Sequence, residues 1–527
     1  MQASGGEDYV KQTIARVANT PLTAGDRERE EIHVVRAGAG TDILWRATER
    51  ALKKRKCPVF VRNDRLVQPL WHWEKAANRN VLVAKLERFS LLQLIDMVGH
   101  NAVQFKKLVR GNWIEIDPPE EVIEQLLAAH HYILPQIAGI VTSPTMRNDA
   151  ALSLITEPGY DEPTQLWYKS SDNVQVPPVP ERPTRDDALK ALDLLNKLLD
   201  GFPFEGETKD KRKSVSRSAA LAGMMTTVAI GALEAAAVPL FLVTANDART
   251  GKTYLINLIG VIATGHVPVP NSGARKQEEF EKRVETAALT GRAFMHFNNL
   301  PNGMVVESER LAELSSERKV FIRKLGRHEE GECNCRATVA FLNGNNILPS
   351  GDLVPRTVSC RLDAQMEHPE ERKFAAPYPH ERVRADRGAY LAAVFTILRA
   401  FRAAGEPEQK CKCVAGYEQW SKLVQQALIW LGEEDPWGTM EDMRAIDPAE
   451  ENLKRLLKAL ADCKFDDDQF TVADCKKKAD DFVGDGYHQA RKFTHDVLRE
   501  LMSERGQIKF GCCGTPATKS ATVAAFA

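Results

Sequence analysis

At 527 residues the chain is too long for one ordinary hydrophobic core, and roughly two to four domains are expected. Its 43% hydrophobic and 27% charged content is ordinary for a globular protein, and a formal net charge of -1 excludes a global bias toward nucleic acid or membrane. Any polyanion site must then be a local patch.

Residues 1–30 are polar and Gly-containing and read as a loosely held arm. From Glu31 to Tyr168, short apolar runs alternate with charged helical stretches, which predicts a mixed α/β domain over 31–168. Pro58 to Leu70 is strand-like in that stretch, and Leu91 to Val109 is helix-like. Ser170 to Arg185 carries Pro177, Pro178, Pro180 and Pro183 and predicts an extended linker. Asp186 to Phe202 follows as an amphipathic helix with leucines on one face, and the basic run Lys209 to Arg217 closes a linker-and-helix segment, 169–217.

Between Ser218 and Asn246 the only charged residue is Glu234, a length that suggests a membrane span. Pro239 divides it, however, and Ala and Gly dominate its first half. A buried helix over Ala219 to Ala236 followed by a core strand is the better reading, with no membrane contact. Ten cysteines without a paired CxxC spacing, and no secretory signal, predict free thiols and a cytoplasmic protein without structural zinc at Cys333, Cys335, Cys411 and Cys413.

The core strand runs into Asn246-Asp-Ala-Arg-Thr250-Gly251-Lys252-Thr253 and a new apolar segment. A strand, a small-residue turn and Gly-Lys-Thr at a helix start form a phosphate cradle. Backbone N–H groups and the helix N-terminus face the anion, Lys252 reaches the terminal phosphates, and the Thr253 hydroxyl can ligate Mg2+. The usual pattern has a further Gly where this chain has Asn246.

Downstream, a charged helix over Gln277 to Gly291 feeds the apolar strand Arg292 to Phe297 and then Asn298-Asn299-Leu300-Pro301. A basic strand follows from Lys319, with Lys319, Arg323, Lys324 and Arg327 and no acid between them, and then a turn near Gly326 to Gly331. The apolar strand Thr338 to Leu342 ends in Asn343-Gly344-Asn345-Asn346, good turn chemistry, and Gly351-Asp352-Leu353 precedes a last strand, Arg356 to Asp363. Beyond Pro377 the periodicity is helical over Ala389 to Ala404, Gly416 to Leu431, Asn452 to Ala461 and Tyr487 to Glu504. This predicts a helical or winged-helix-like unit over 376–513 and a disordered tail over 514–527.

The order of Gly-Lys-Thr loop, Glu-Lys-Arg helix, strand ending in a polar pair, basic hairpin, Gly-Asn-Asn, Gly-Asp-Leu-x-x-Arg and Cys-Arg-Leu-Asp resembles superfamily 3 AAA+ helicases. The similarity is to the phage and mobile-element primase-helicase branch over about residues 140–375. Ser143-Pro-Thr-Met-Arg147 and Gly159-Tyr-Asp161 with Thr164 look like the stretch that precedes such modules. The resemblance implies an α/β fold with a P-loop AAA+ core at 218–375, and a hexameric architecture: a ring with single-stranded DNA in its channel, ATP and Mg2+ between subunits, and a replication partner protein.

Carried across by motif, Asn246, Thr250, Gly251, Lys252 and Thr253 would bind nucleotide, with Thr253 on Mg2+. Asn298 and Asn299 would fill the Walker B pair, Asn346 or Asn345 sensor 1, and Arg356 the trans-acting arginine finger, with Arg361 second. Arg323, Lys324, Arg327 and His328 would meet DNA. The family has an acidic residue where this chain has Asn298. Three accounts stand open: impaired hydrolysis, another acid such as Glu307 or Glu309, or an introduced change that traps nucleotide. A nucleotide-binding scaffold or loader, and a nucleic-acid-sensing defence ATPase, are the alternatives to an ATP-driven DNA helicase.

Overall fold

The computed structural model describes residues 30–443 except 35–40, 77–78, 171–173, 209–210, 234–235, 274–275, 324–329, 367, 373–378 and 441–442. Strand β1 (Glu30–Val34) and helix α1 (Thr41–Lys54) precede an antiparallel sheet of β2 (Phe60–Arg62), β3 (Arg65–Ala76) and β4 (Arg79–Arg88). The strand-like stretch Pro58 to Leu70 holds β2 and the start of β3. Asn63 and Asp64, at φ 53° and 54°, make the left-handed two-residue turn whose twist suits a hairpin.

Helix α2 (Leu91–Asn101) starts in a Ser90/Gln93 capping box and ends at Ala102, whose N–H donates to the Val98 carbonyl. The sequence expectation of helix as far as Val109 is corrected here, because Val103–Val109 is a strand, β5. It pairs in parallel with β1 and antiparallel with β6 (Asn112–Ile116). Val103 and Phe105 alternate into the core that Ile32, Leu94 and Leu126 of α3 (Glu120–Ala128) build, and that period of two overrides the local helical pattern.

Small strands link this region to the main sheet: β7 (Gly139–Val141), β8 (Thr145–Met146), β9 (Leu154–Ile155), β10 (Gly159–Asp161) and β11 (Leu166–Tyr168). They bring the two quoted front motifs together. Arg147 donates to Asp161 Oδ1 through Nε at 2.8 Å and Nη2 at 2.6 Å, while the Thr164 hydroxyl donates to Asp161 Oδ2 at 2.7 Å. Burial pushes the Asp161 carboxyl up, but the hydrogen bonds from Arg147 and Thr164 and the guanidinium charge outweigh it and hold the group below its ordinary value.

A depressed carboxylate contributes stability above its unfolded value near pH 4, and this is lost as pH falls through the lower folded value. We expect Asp161→Asn to cost about 2–3 kcal/mol at pH 7 in urea titration, and the gap from wild type to close as pH drops below about 4. A gap unchanged down to pH 2.5 would refute this.

The segment from 174 to 184 has no regular structure, as a proline-rich stretch predicts, yet it is no free tether. Val174, Val176 and Val179 pack on the main core, and a Cβ at Gly388 would stand 1.9 Å from the Gln175 carbonyl oxygen. Helix α4 (Arg185–Leu199) then presents Leu192, Leu195, Leu198 and Leu199 inward. The described part of the basic run is absorbed within the chain. Lys211 pairs with Glu434, Arg212 with Asp200, Lys213 donates to the Gly432 carbonyl, and buried Arg217 pairs with Glu207.

Helix α5 (Val215–Val228), N-capped by Ser214, is buried on every side and continues as a 3-10 turn, Ile230–Leu233. The expected helix thus starts earlier and loses its α geometry before Leu233. It packs on a five-stranded, wholly parallel sheet in the order β13 (Asn271–Ser272), β14 (Phe294–Leu300), β18 (Val339–Asn345), β12 (Leu240–Ala245), β20 (Thr357–Leu362). Between these strands lie α6 (Lys252–Thr264), α7 (Gln277–Leu289), β15 (Val305–Val306), α8 (Glu309–Ser316), the antiparallel pair β16 (Lys319–Arg323) and β17 (Glu330–Asn334), and β19 (Leu348–Pro349). The architecture is mixed α/β about a parallel sheet.

After β20 come α9 (Pro379–Ala385) and α10 (Arg387–Ala403), then a helical stretch from Glu418 to Trp430 with a π-helical turn at Ser421–Gln425. One continuous core joins Leu195 of α4, Met224 of α5, Ile259 of α6, Phe395 of α10 and Trp420. Among the described residues, no helix is long and apolar enough to cross a membrane. The expected arm, the helices at 452–461 and 487–504 and the tail at 514–527 lie outside the described residues.

Candidate functional site

The loop after β12 is shaped by two left-handed residues, Arg249 at φ 60° and Gly251 at φ 106°. Gly251 is the N-cap of α6, and only glycine adopts that conformation without strain. The first-turn N–H groups of a thirteen-residue helix therefore open toward the loop. Lys252 is 8% exposed, and its ammonium folds back to donate to the Asp247 carbonyl at 2.7 Å and to the Thr250 hydroxyl at 3.1 Å. Burial lowers its pKa, with the Asp247 charge opposing. Such an amine is held over its own loop by weak acceptors that a phosphate oxygen can replace.

Parallel pairing of β12 with β18, and of β18 with β14, sets three strand ends beside that helix start. The Thr253 hydroxyl donates to Asn298 Oδ1 at 3.0 Å and accepts from Asn343 Nδ2 at 3.0 Å. Asn343 Oδ1 in turn faces His296 Nε2 at 2.8 Å. His296 is 1% exposed, and burial pushes its imidazole down to about 4, with the Asn343 bond opposing. It is neutral at physiological pH. The set Thr253, Asn298, Asn343 and His296 is one hydrogen-bonded line without a carboxylate.

The structure brings Thr253 and Asn298 together, as the motif order expects, and does not bring Asn299. A register shift between Phe297 and Leu300 puts Asn299 at φ 56° with its side chain exposed. Asn346 lies one shell out, donating to the Asn246 carbonyl at 3.2 Å and to Asn302 at 3.0 Å, while Asn345 pairs with Ala245 in the sheet. Glu307 and Glu309 are exposed at the head of α8, with Glu309 in its first turn. Arg356 pairs with Asp352 at 3.5 Å, and Arg361 pairs with Glu205 at 3.4 Å.

Strand β17 sets acidic residues opposite the basic strand. Lys319 pairs with Glu332 across the strands, and Arg323 is in register with Glu330. Lys324, Arg327 and His328 lie outside the described residues.

Sequence reasoning missed His296 and Asn343. The signal was there: a histidine and an asparagine inside otherwise apolar strands are more telling than any surface polar residue, and His296 shares a strand face with Asn298 by the alternation of two. Asn343 was read as part of a turn because β18 was expected to stop at Leu342. Arg372 was also missed; it donates to the Thr250 carbonyl at 2.9 Å, and a Cβ on Gly251 would come within 3.8 Å of its Nη2. Nearby, Tyr254 stacks on His380 at 4.1 Å between ring centroids.

The donor set fits phosphates, through Lys252 and the first turn of α6. For a divalent ion it offers the Thr253 hydroxyl and neutral amides, and among the described residues no group of three His, Cys, Asp or Glu side chains could hold a metal. Cys333 and Cys335 are buried, Cys411 is half-buried and Cys413 exposed, and all four are free thiols.

No protein-family model and no curated protein matches the chain. Among solved structures, it is similar to the A form apo structure of the NrS-1 C terminal region, at 11% identity and TM-score 0.33, over 86% of this chain and 85% of that one. A second structure of that region, 305–718, matches at 12% identity and TM-score 0.35 over 86% of each chain.

Proposed function

We propose that the chain is a P-loop AAA+ protein of superfamily 3 type that binds ATP with Mg2+ and works as a ring, of six copies, on single-stranded DNA in phage or mobile-element replication. The observation that carries this reading is the parallel order β13-β14-β18-β12-β20, with a Gly251-Lys252-Thr253 helix start at the end of β12 and Asn298 of β14 3.0 Å from the Thr253 hydroxyl. That arrangement supports nucleotide binding because Lys252, Thr253 and Asn298 lie at the same end of one sheet, where ligands of open parallel sheets bind. Motif order supports the rest.

A triphosphate with its Mg2+ would supply the phosphoryl bond whose cleavage drives movement. Lys252 would neutralise phosphate charge, the α6 N–H groups would orient the oxygens, and Thr253 would offer a hydroxyl lone pair. Arg356 would stabilise charge in the neighbouring subunit's site. Arg323, Lys324, Arg327 and His328 would contact DNA through phosphates, so binding would weaken steeply with salt.

One observation favours a second reading: the amide of Asn298 stands where hydrolysis calls for a carboxylate. On that reading, the chain is a nucleotide-holding scaffold or loader.

Lys252→Ala is expected to weaken binding of a fluorescent ATP analogue about 100-fold, the value of one buried charge-assisted contact of roughly 3 kcal/mol. Particles imaged by electron microscopy with nucleotide and single-stranded DNA should be closed rings. Binding unaffected by Lys252→Ala would remove the nucleotide reading, and a monomer in all conditions would remove the trans-acting role of Arg356.

A further inference from the structure

His296 lies beneath the nucleotide site rather than in it. Its ring is enclosed on β14, with Nε2 2.8 Å from Asn343 Oδ1 and Nδ1 buried without a hydrogen-bond partner. A buried N–H without an acceptor is rarer and costlier than an under-used acceptor, so the proton belongs on Nε2 and Nδ1 is bare. Direction then propagates. His296 Nε2–H donates to Asn343 Oδ1, which turns the Asn343 NH2 toward Thr253 at 3.0 Å. The Thr253 oxygen, accepting there, sends its own proton to Asn298 Oδ1 at 3.0 Å.

With one lone pair and the proton committed, the Thr253 hydroxyl keeps one free lone pair, and its direction is set by the other two bonds. With the proton on Nδ1, the amide would turn over. Thr253 would then donate to Asn343 and would keep Asn298 only if that amide also turned its NH2 toward the hydroxyl. Buried networks of this kind are worth having only when every member has one orientation.

We propose that His296 is a positioning residue: through the Asn343 amide it fixes the direction in which the Thr253 hydroxyl presents its free lone pair to a nucleotide-bound divalent ion. This rests on the nucleotide-binding reading above. It concerns the ion-dependent part of affinity and not the phosphate contacts of Lys252.

The test measures the Kd of a fluorescent ATP analogue with Mg2+ and with EDTA, and reads the ratio of the two. In His296→Leu the EDTA-to-Mg2+ ratio should fall about fivefold, the value of one hydrogen bond's orientation at about 1 kcal/mol. His296→Gln, whose amide can still donate to Asn343 Oδ1, should recover most of it. Asn343→Ala should lower the ratio as much as His296→Leu, and the double variant no further, since both act through one path.

A ratio within twofold of wild type in His296→Leu, or in Asn343→Ala should the leucine variant not fold, overturns the relay. A wild type that binds no analogue in either condition overturns the nucleotide reading and this inference with it. An additive double variant assigns the two residues separate structural roles and overturns it as well.

Discussion

Asn298→Asp is expected to raise ATP turnover about 100-fold over the native chain, a gain on the scale of restoring one electrostatic group in a reaction centre. The exchange is nearly isosteric and keeps the oxygen that accepts the Thr253 proton at 3.0 Å. What changes is the other arm of the side chain. An ion-bound water can only donate, so an NH2 group faces it with the wrong polarity, while a carboxylate oxygen accepts and adds a negative charge. Among the described residues no carboxylate bonds to Thr253, Asn298, Asn343 or His296, so the new charge meets no like charge within that line. Steady-state phosphate release with and without single-stranded DNA measures the effect. A rise supports a motor whose chemistry Asn298 restrains. An unchanged rate with nucleotide still bound favours the scaffold reading.

Arg62→Ala is expected to destabilise the protein by about 3 kcal/mol and to loosen the front sheet from the parallel sheet's flank. Arg62 sits on β2, is 3% exposed, and reaches across to donate to the Leu289 carbonyl at 2.7 Å and to the Ala288 and Asn334 carbonyls at 2.9 and 2.6 Å. Two of these acceptors are final carbonyls of α7, where the helix dipole places negative charge, and the third belongs to β17. The buried guanidinium makes three hydrogen bonds there without a carboxylate, while its Nε stays without a partner. Truncation takes a donor from three carbonyls at about 1–3 kcal/mol for each one left unpaired, but the Ala288 oxygen still accepts from the Gly291 N–H and the Cys333 thiol, which is why roughly 3 is expected and not the full sum. Arg62→Lys keeps the charge but cannot span three carbonyls, and should recover less than half. Guanidinium titration of the three proteins checks the order, and a loss under 1 kcal/mol in Arg62→Ala would refute it.

Much of the site was legible because its parts are local. Strand, turn and Gly-Lys-Thr are contiguous, so β12, Gly251 and α6 follow from apolar runs and one left-handed position. The polar ending of β14 was also readable, since Asn298 interrupts an apolar stretch. The errors share a cause. Leu91 to Val109 read as one helix because its apolar spacing fits a helical period locally, whereas pairing of Val103–Val109 with two distant strands decides its state. The acids Glu330 and Glu332 meet the basic run near Lys319 only across a hairpin, so the run by itself does not show them as its neighbours.

By itself, the sequence determined a core strand running into a polar turn and a Gly-Lys-Thr helix start at 246–253, a strand ending in the neutral Asn298, and a buried apolar helix before them. Each of these depends on residues close in the chain. Only the tertiary structure decided which side chains converge on Thr253. Asn343 lies ninety positions and His296 more than forty from it, yet the register of β14, β18 and β12 sets them in one hydrogen-bonded line, because strand pairing fixes to within one residue which face each side chain takes.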